Sequence, residues 1–187
     1  DDKNARILRW SVFLHDLAKP ECRTVGPDGA AHFPGHNQAG SKMARSILLR
    51  LKAPTYLVES ASALVAIHDG ALPSDDAGIL NMLNRYGAAF LQRLCRLKLA
   101  DLAAHARNAG VMQREQQVRA FEGRMLEMVI GNEALIEIYN LFEEGVPTER
   151  EVKDVLYWCV SDYCDVTLTY RLSLIHISEP TRLALIS

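Results

Sequence analysis

Apolar residues recur at helical rather than strand spacing along most of the chain. Ile7, Trp10, Leu14 and Leu17 follow one another at intervals of three and four, and Pro20 closes the run because it cannot donate a helical hydrogen bond. The first helix is therefore expected to end near Lys19. Pro20 to Gly35 is rich in glycine and proline and reads as a loop, with Asp28-Gly29 as its sharpest turn signal. Met43, Ile47, Leu48 and Leu51 then share one helical face, with Ser41 as a candidate cap. Leu57, Ala61, Leu64, Val65 and His68 share another, which Gly70 and Pro73 terminate.

Asp75-Asp76 opens a short helix through Ile79, Leu80 and Leu83. Gly87 breaks it, and a longer helix follows from Ala88 to about Asn108, with Leu91, Leu94, Cys95 and Leu102 on its apolar positions. Helical spacing persists past Gly110 through Phe121, Met125 and Met128, and Thr148 with Glu151 makes a capping-box pattern for a further helix. Tyr157 to Tyr170 reads two ways: its aromatic and β-branched content suits a strand, yet a lone strand has nothing to pair with. The pattern predicts an all-α fold of about six to eight helices.

Composition narrows the function. The 187 residues are 49% apolar and 24% charged, which excludes a disordered tail or a fibre. Twenty-one Lys and Arg against 23 Asp and Glu leave a net charge of -2, so any RNA contact is expected to be a local patch. Four cysteines without a C-x-x-C pair or a secretory leader point to a reduced, cytoplasmic setting, and the cysteines read as small buried apolar groups. No apolar run approaches the ~20 residues of a membrane span.

The chain ends need separate treatment. Leu172 to Arg182 reads LSLIHISEPTR, continues no earlier pattern and resembles a translated transposase adapter, so 172–187 is read as a non-native tail. A start at Asp1 rather than Met makes a fragment of a longer gene the expected origin. His176 falls in the tail, which leaves five of the six histidines to consider.

His15 and Asp16 sit at the end of an apolar helix, their side chains about 100° apart. An isolated pair of this kind reads as a His capping the helix end and an Asp in a salt bridge. Inside a core both groups are costly without partners, and a divalent cation satisfies both at once. Their company favours the cation: His36 opens the next helix, His68-Asp69 closes the one after, and Asp101 lies within LCRLKLADLAAH. Imidazole with carboxylate suits Zn, Mn, Fe or Ni. Such a site with open positions polarises phosphates and acidifies water.

The strings LHDLAKP (14–20), HFPGH (32–36), LVAIHD (64–69) and KLAD (98–101) together resemble the HD-domain phosphohydrolase superfamily. More narrowly, they are similar to the HD region of bacterial CCA-adding tRNA nucleotidyltransferases, over about Ala5 to Arg107. The resemblance implies an HD-domain helical bundle, truncated at its start and taken as 1–122, and the helical pattern beyond it is read as a C-terminal extension over 123–171. The resemblance also implies that His15, Asp16 and Asp101 ligate a divalent metal ion (Mg, Mn, Ni, Fe or Zn), with His36 and His68 joining in two-metal relatives. Two departures stand out. The family's first metal histidine, about one helix upstream, has no counterpart before His15, and no Gly-rich segment follows Gly123.

The expected activity is metal-dependent hydrolysis of a phosphomonoester or a 2',3'-cyclic phosphate, with Asp16 and Lys19 as catalytic residues, in the tRNA 3'-end-processing context of a CCA-adding parent whose nucleotidyltransferase head would lie upstream. Alternatives are a non-catalytic HD fold that braces or holds tRNA, and a hydrolase of free or signalling nucleotides. Lys19 reads either as a phosphate contact or as a cation at a helix C-terminus. His32 reads as structural, and His105 as either a surface group or a partner that orients Asp101. Arg45, Arg50, Lys52, Arg93, Arg96 and Lys98 are candidate tRNA-backbone contacts that look the same as solvated helix faces.

Overall fold

A computed structural model describes residues 2–144 and 148–163. Seven helices occur among them: α1 (Asp2–Leu14), α2 (His36–Arg50), α3 (Thr55–Ile67), α4 (Asp76–Tyr86), α5 (Ala88–Ala104), α6 (Ala109–Glu144) and α7 (Glu149–Tyr163). One short hairpin, β1 (Thr24–Val25) and β2 (Ala31–His32), lies between α1 and α2. The all-α expectation therefore holds, apart from that hairpin. Packing divides the chain into two units, Asp1–Met125 and Leu126–Ser187. The first carries the site.

Helix α3 is the centre of the first unit and packs against α1, α2 and α5. Its sequence, TYLVESASALVAI, is apolar nearly all round, as a helix enclosed by neighbours must be. Leu57, Val58, Ala61, Leu64 and Val65 are buried. Ser62, also buried, donates its hydroxyl to the Val58 carbonyl at 2.6 Å and so brings no unmet polar group into the core. Helix α1 meets the core through Ile7, Ser11 and Leu14, and the turn after it adds Ala18 at the same spacing. The predicted stripe of Ile7, Trp10, Leu14 and Leu17 is thus rotated slightly, leaving Trp10 and Leu17 half-buried. In α5, Leu91, Leu94, Cys95, Leu97 and Leu102 are buried, and burial pushes the Cys95 thiol up to about 12, which keeps it an inert apolar group.

Several boundaries differ from the sequence expectation for identifiable reasons. Helix α1 ends at Leu14 rather than near Lys19, and tight turns carry the chain on, with Leu17 N–H donating to Leu14 and Lys19 N–H to Asp16. Part of the cause lies in His15, whose imidazole occupies the Val12 carbonyl at 2.7 Å, the acceptor that a regular helix offers to the next turn. The supposed loop before α2 contains the hairpin. Thr24 pairs with His32 and Val25 with Ala31, and Gly29 supplies the positive φ (78°) that the Asp28-Gly29 turn requires. Ser41 does not cap α2. That helix starts at His36 after Gly35 in the left-handed region, and the Ser41 hydroxyl donates to the Ser62 carbonyl across to α3. Leu51 falls beyond the end of α2 and is exposed.

Other local signals read directly. Asp75 caps α4 by accepting the Gly78 N–H at 3.1 Å, and Gly87, at φ 76°, separates α4 from α5. In the second unit Thr148 and Glu151 close the predicted capping box on α7, at 2.7 Å and 3.3 Å. Tyr157–Tyr163 belongs to that helix, while 164–170, like the tail 172–187, lies outside the described residues.

Gly40 fixes how closely α2 approaches the turn after α1. A Cβ there would lie 3.4 Å from the His15 carbonyl oxygen and 3.4 Å from a Val65 methyl. Gly40→Ala should therefore fit, its small crowding offset by alanine's helix propensity, whereas Gly40→Leu should cost about 1–3 kcal/mol through overpacking. Urea denaturation checks this; equal stability of the leucine variant would contradict the packing described.

Candidate metal centre

Four helix ends converge. His15 and Asp16 follow the last residue of α1, His68 follows the last residue of α3, Asp101 lies in the last turn of α5, and His36 is the first residue of α2. Three of these are C-terminal ends, whose unpaired carbonyls carry partial negative charge and favour a cation nearby.

Each histidine is oriented by its own backbone. The Nδ1 of His15 lies 2.7 Å from the Val12 carbonyl, that of His36 2.9 Å from Phe33 and that of His68 2.7 Å from Val65, always three residues back. A carbonyl can only accept, so Nδ1 carries the hydrogen in all three and the Nε2 lone pair of the neutral ring points away from it, into the shared space. There His36 Nε2 and His68 Nε2 stand 3.3 Å apart, and His15 Nε2 is 3.3 Å from both Asp16 Oδ2 and Asp101 Oδ1. Asp16 Oδ1 faces the other pair, 3.6 Å from His36 Nε2 and 3.8 Å from His68 Nε2.

The five predicted ligands thus line one connected space. Within it His15, Asp16 and His68 form a group whose ligand atoms all lie within 4.8 Å of one another and can hold a metal ion. This differs in detail from the set implied by resemblance, because Asp101 reaches the group through His15 and His36 reaches it through His68 and Asp16. Adjacent ligands ~2.1 Å from one ion sit about 3.0–3.5 Å apart, a spacing met by the 3.3 Å separations here, while Asp16 Oδ1 stands slightly wider of His36 and His68, at 3.6 Å and 3.8 Å. The donor set passes a second test: Asp16 Oδ1 is buried and has no hydrogen-bond partner. An orphaned carboxylate oxygen is costly unless a cation or proton meets it.

The electrostatics keep Asp16 and His68 in their binding forms. Burial tends to raise the Asp16 pKa, but the Lys19 hydrogen bond at 2.6 Å and the neighbouring His15, Lys19 and His68 outweigh it and hold the carboxyl below its ordinary range. His68 is pushed down, first by burial and then by His15 and His36, against its bond to Val65 and the attraction of Asp16. Asp16 is accordingly ionised and His68 neutral near pH 7, the forms that ligate metals.

The remaining predicted residues sort by contact. Lys19 is tied to Asp16 and lies 5.7 Å over the Phe33 ring, and since α1 stops at Leu14 it is not in a helix C-terminal turn. His32 is exposed on β2, away from the cluster. His105 donates to the Asp101 backbone carbonyl at 2.8 Å and stays half-exposed, so it bonds the main chain of Asp101 rather than its carboxylate. Arg45 is paired with Glu59 at 2.8 Å and Arg93 donates to Asn4 at 2.6 Å.

The cluster opens into a cleft of about 720 Å³. Asp69, Lys98, Arg114 and Arg124 line it together with the apolar Leu72, Pro73 and Val118. Arg114 and Arg124 were not among the sequence candidates. Their only signal was recurrence on the α6 face that also carries Gln117, and nothing in the sequence says that this face meets the ends of α3 and α5.

The fold and site define a helical domain with a histidine–aspartate group able to hold a metal. Comparison with known proteins adds a relation. The chain is 40% identical over 99 residues to the A-adding tRNA nucleotidyltransferase of Deinococcus radiodurans, which covers 52% of this chain and 23% of that protein. It is 35% identical over 68 residues to the CC-adding tRNA nucleotidyltransferase of Thermus thermophilus, 36% of this chain and 16% of that protein. The chain therefore spans less than a quarter of the curated relatives it matches. No family model and no solved structure matches. No described helix is long and apolar enough to cross a membrane.

If the backbone carbonyls set the tautomers, long-range ¹⁵N–¹H spectra of the chain should show Nδ1 protonated in His15, His36 and His68. A bare Nδ1 on any of the three would contradict the assignment.

Proposed function

We propose that this domain is an HD-type metal-dependent phosphohydrolase acting on a phosphomonoester or a 2',3'-cyclic phosphate, as part of a protein that works at tRNA 3' ends. The observation that carries this reading is the unpartnered, buried Asp16 Oδ1 among converging Nε2 atoms. His15, Asp16 and His68 would hold a divalent ion, with Asp101 and His36 completing its surroundings or a second site. A bound ion would supply Lewis acidity toward a phosphate oxygen and acidify a water at neutral pH.

The chain's own groups do the rest. Asp16 anchors Lys19, whose ammonium lines the cleft and is placed to offset charge that grows on phosphate oxygens. The backbone-locked imidazoles need no reorganisation when a ligand arrives, because their rings are already aimed. The tRNA context is supported by the similarity to two tRNA nucleotidyltransferases.

That similarity also favours a second reading, a non-catalytic module that holds tRNA. It predicts tRNA binding that weakens with salt and is indifferent to Asp16. The test is metal content and turnover of 2',3'-cyclic AMP and bis-p-nitrophenyl phosphate by wild type beside Asp16→Ala. The hydrolase reading expects metal in wild type alone and a rate lower by about 10³-fold in the variant, corresponding to several kcal/mol of lost ion chemistry. Equal, negligible metal and no turnover in both proteins would remove it and leave the holding module.

A further inference from the structure

The cationic groups of the cleft are not equivalent. Lys19 is committed to Asp16 at 2.6 Å, and Arg124 is held by both oxygens of Asp76, at 2.8 Å and 2.6 Å. Arg114 on α6 donates to a backbone carbonyl, that of Gly110, at 3.3 Å, and Lys98 on α5 likewise donates to a neutral acceptor, the Gly70 carbonyl, at 2.7 Å. No carboxylate among the described residues lies within ion-pair distance of it. An ammonium has three donors, so two remain for a ligand.

We propose that Lys98 is the anion anchor of this cleft, gripping the phosphate of an organic ester while Leu72, Pro73 and Val118 cover its organic part. The inference rests on the hydrolase reading of the same cleft and deepens it: the substrate is a nucleotide-sized phosphate ester rather than a bare phosphate or pyrophosphate. Size supports this. About 720 Å³ is the space of a small organic ligand, far more than a phosphate fills. Position supports it as well, since Lys98 lies one helical turn before Asp101 and lines the same cleft as His36, His68 and Asp16. Burial lowers its pKa while Asp69 and Asp101 oppose the shift, as befits an ammonium partly stripped of water beside the cluster. Such a cation gains more from an incoming anion than an exposed one does. Its carbonyl tether also fixes the ammonium against the chain just after His68, so the anchor and the cluster are held as one piece.

Isothermal titration of the full chain with adenosine 5'-monophosphate and with inorganic phosphate, each with and without Mn²⁺, tests the proposal. Lys98→Gln should weaken AMP binding by ~10-fold or more, the usual worth of a charge-assisted hydrogen bond, and Lys98→Arg should recover most of it. Metal uptake and the far-ultraviolet circular dichroism of both variants should match wild type. Inorganic phosphate should bind wild type ~10-fold more weakly than AMP, for want of the apolar contact. Unchanged AMP affinity in Lys98→Gln, loss of metal along with it, or equal binding of phosphate and AMP would each overturn the proposal. The two readings fail separately. AMP binding that depends on Lys98, without ester hydrolysis by wild type, overturns the hydrolase and leaves the anchor. Hydrolysis with Lys98→Gln indistinguishable from wild type does the reverse.

Discussion

The structure of the site depends on three short hydrogen bonds, from the Nδ1–H groups of His15, His36 and His68 to carbonyls three residues back in the chain. Each bond settles a tautomer and a ring direction at once. Without them the three imidazoles would be free to turn their donors inward, and Asp16 Oδ1 would find a hydrogen rather than a set of lone pairs. With them, the polar interior of the first unit is short of positive charge by design of its backbone. The bond at His15 shows how local the cause is, because the same carbonyl that orients the ring is withdrawn from α1, which ends there.

The rest of the first unit serves to bring those ends together. A nearly all-apolar α3 gives α1, α2 and α5 a common surface, and Gly40 lets α2 settle against the turn that carries His15 and Asp16. Buried Ser11 and Ser62 meet their own helix carbonyls, and among the described residues the Nε of Arg93 is the one other buried side-chain polar atom without a hydrogen bond. Against that background the unpartnered Asp16 Oδ1 is informative: a protein that meets its buried hydroxyls locally leaves a carboxylate oxygen open where four other ligand-type side chains gather.

Much of this was legible in the sequence, and the parts that were not share one physical origin. Helical periodicity located most of the core of α3 and α5, missing Val58 and Leu97, and the Asp28-Gly29, Gly87 and Thr148–Glu151 signals were read with their mechanisms. The five candidate ligands were identifiable because polar residues at the ends of apolar helices need partners. What the sequence could not show were contacts made across the fold. Ser41 looked like a cap because serine often is one, yet its hydroxyl bonds α3. Helix α1 was drawn too long because a side chain competing for one carbonyl has no periodic signature. Lys98 looked like any cation on a helix face until the Gly70 carbonyl and the cleft placed it.

If Asp16 Oδ1 and the surrounding Nε2 atoms form a cation site, an ion soaked into crystals should settle among them. Diffraction from crystals of the chain soaked in Mn²⁺, with data collected for anomalous scattering, tests it most directly. An anomalous peak should stand bonded to Asp16 and to the Nε2 atoms of His15 and His68, and be absent from crystals of Asp16→Asn. A peak at another place, or a soaked site with Asp16 Oδ1 still unpartnered, would contradict it.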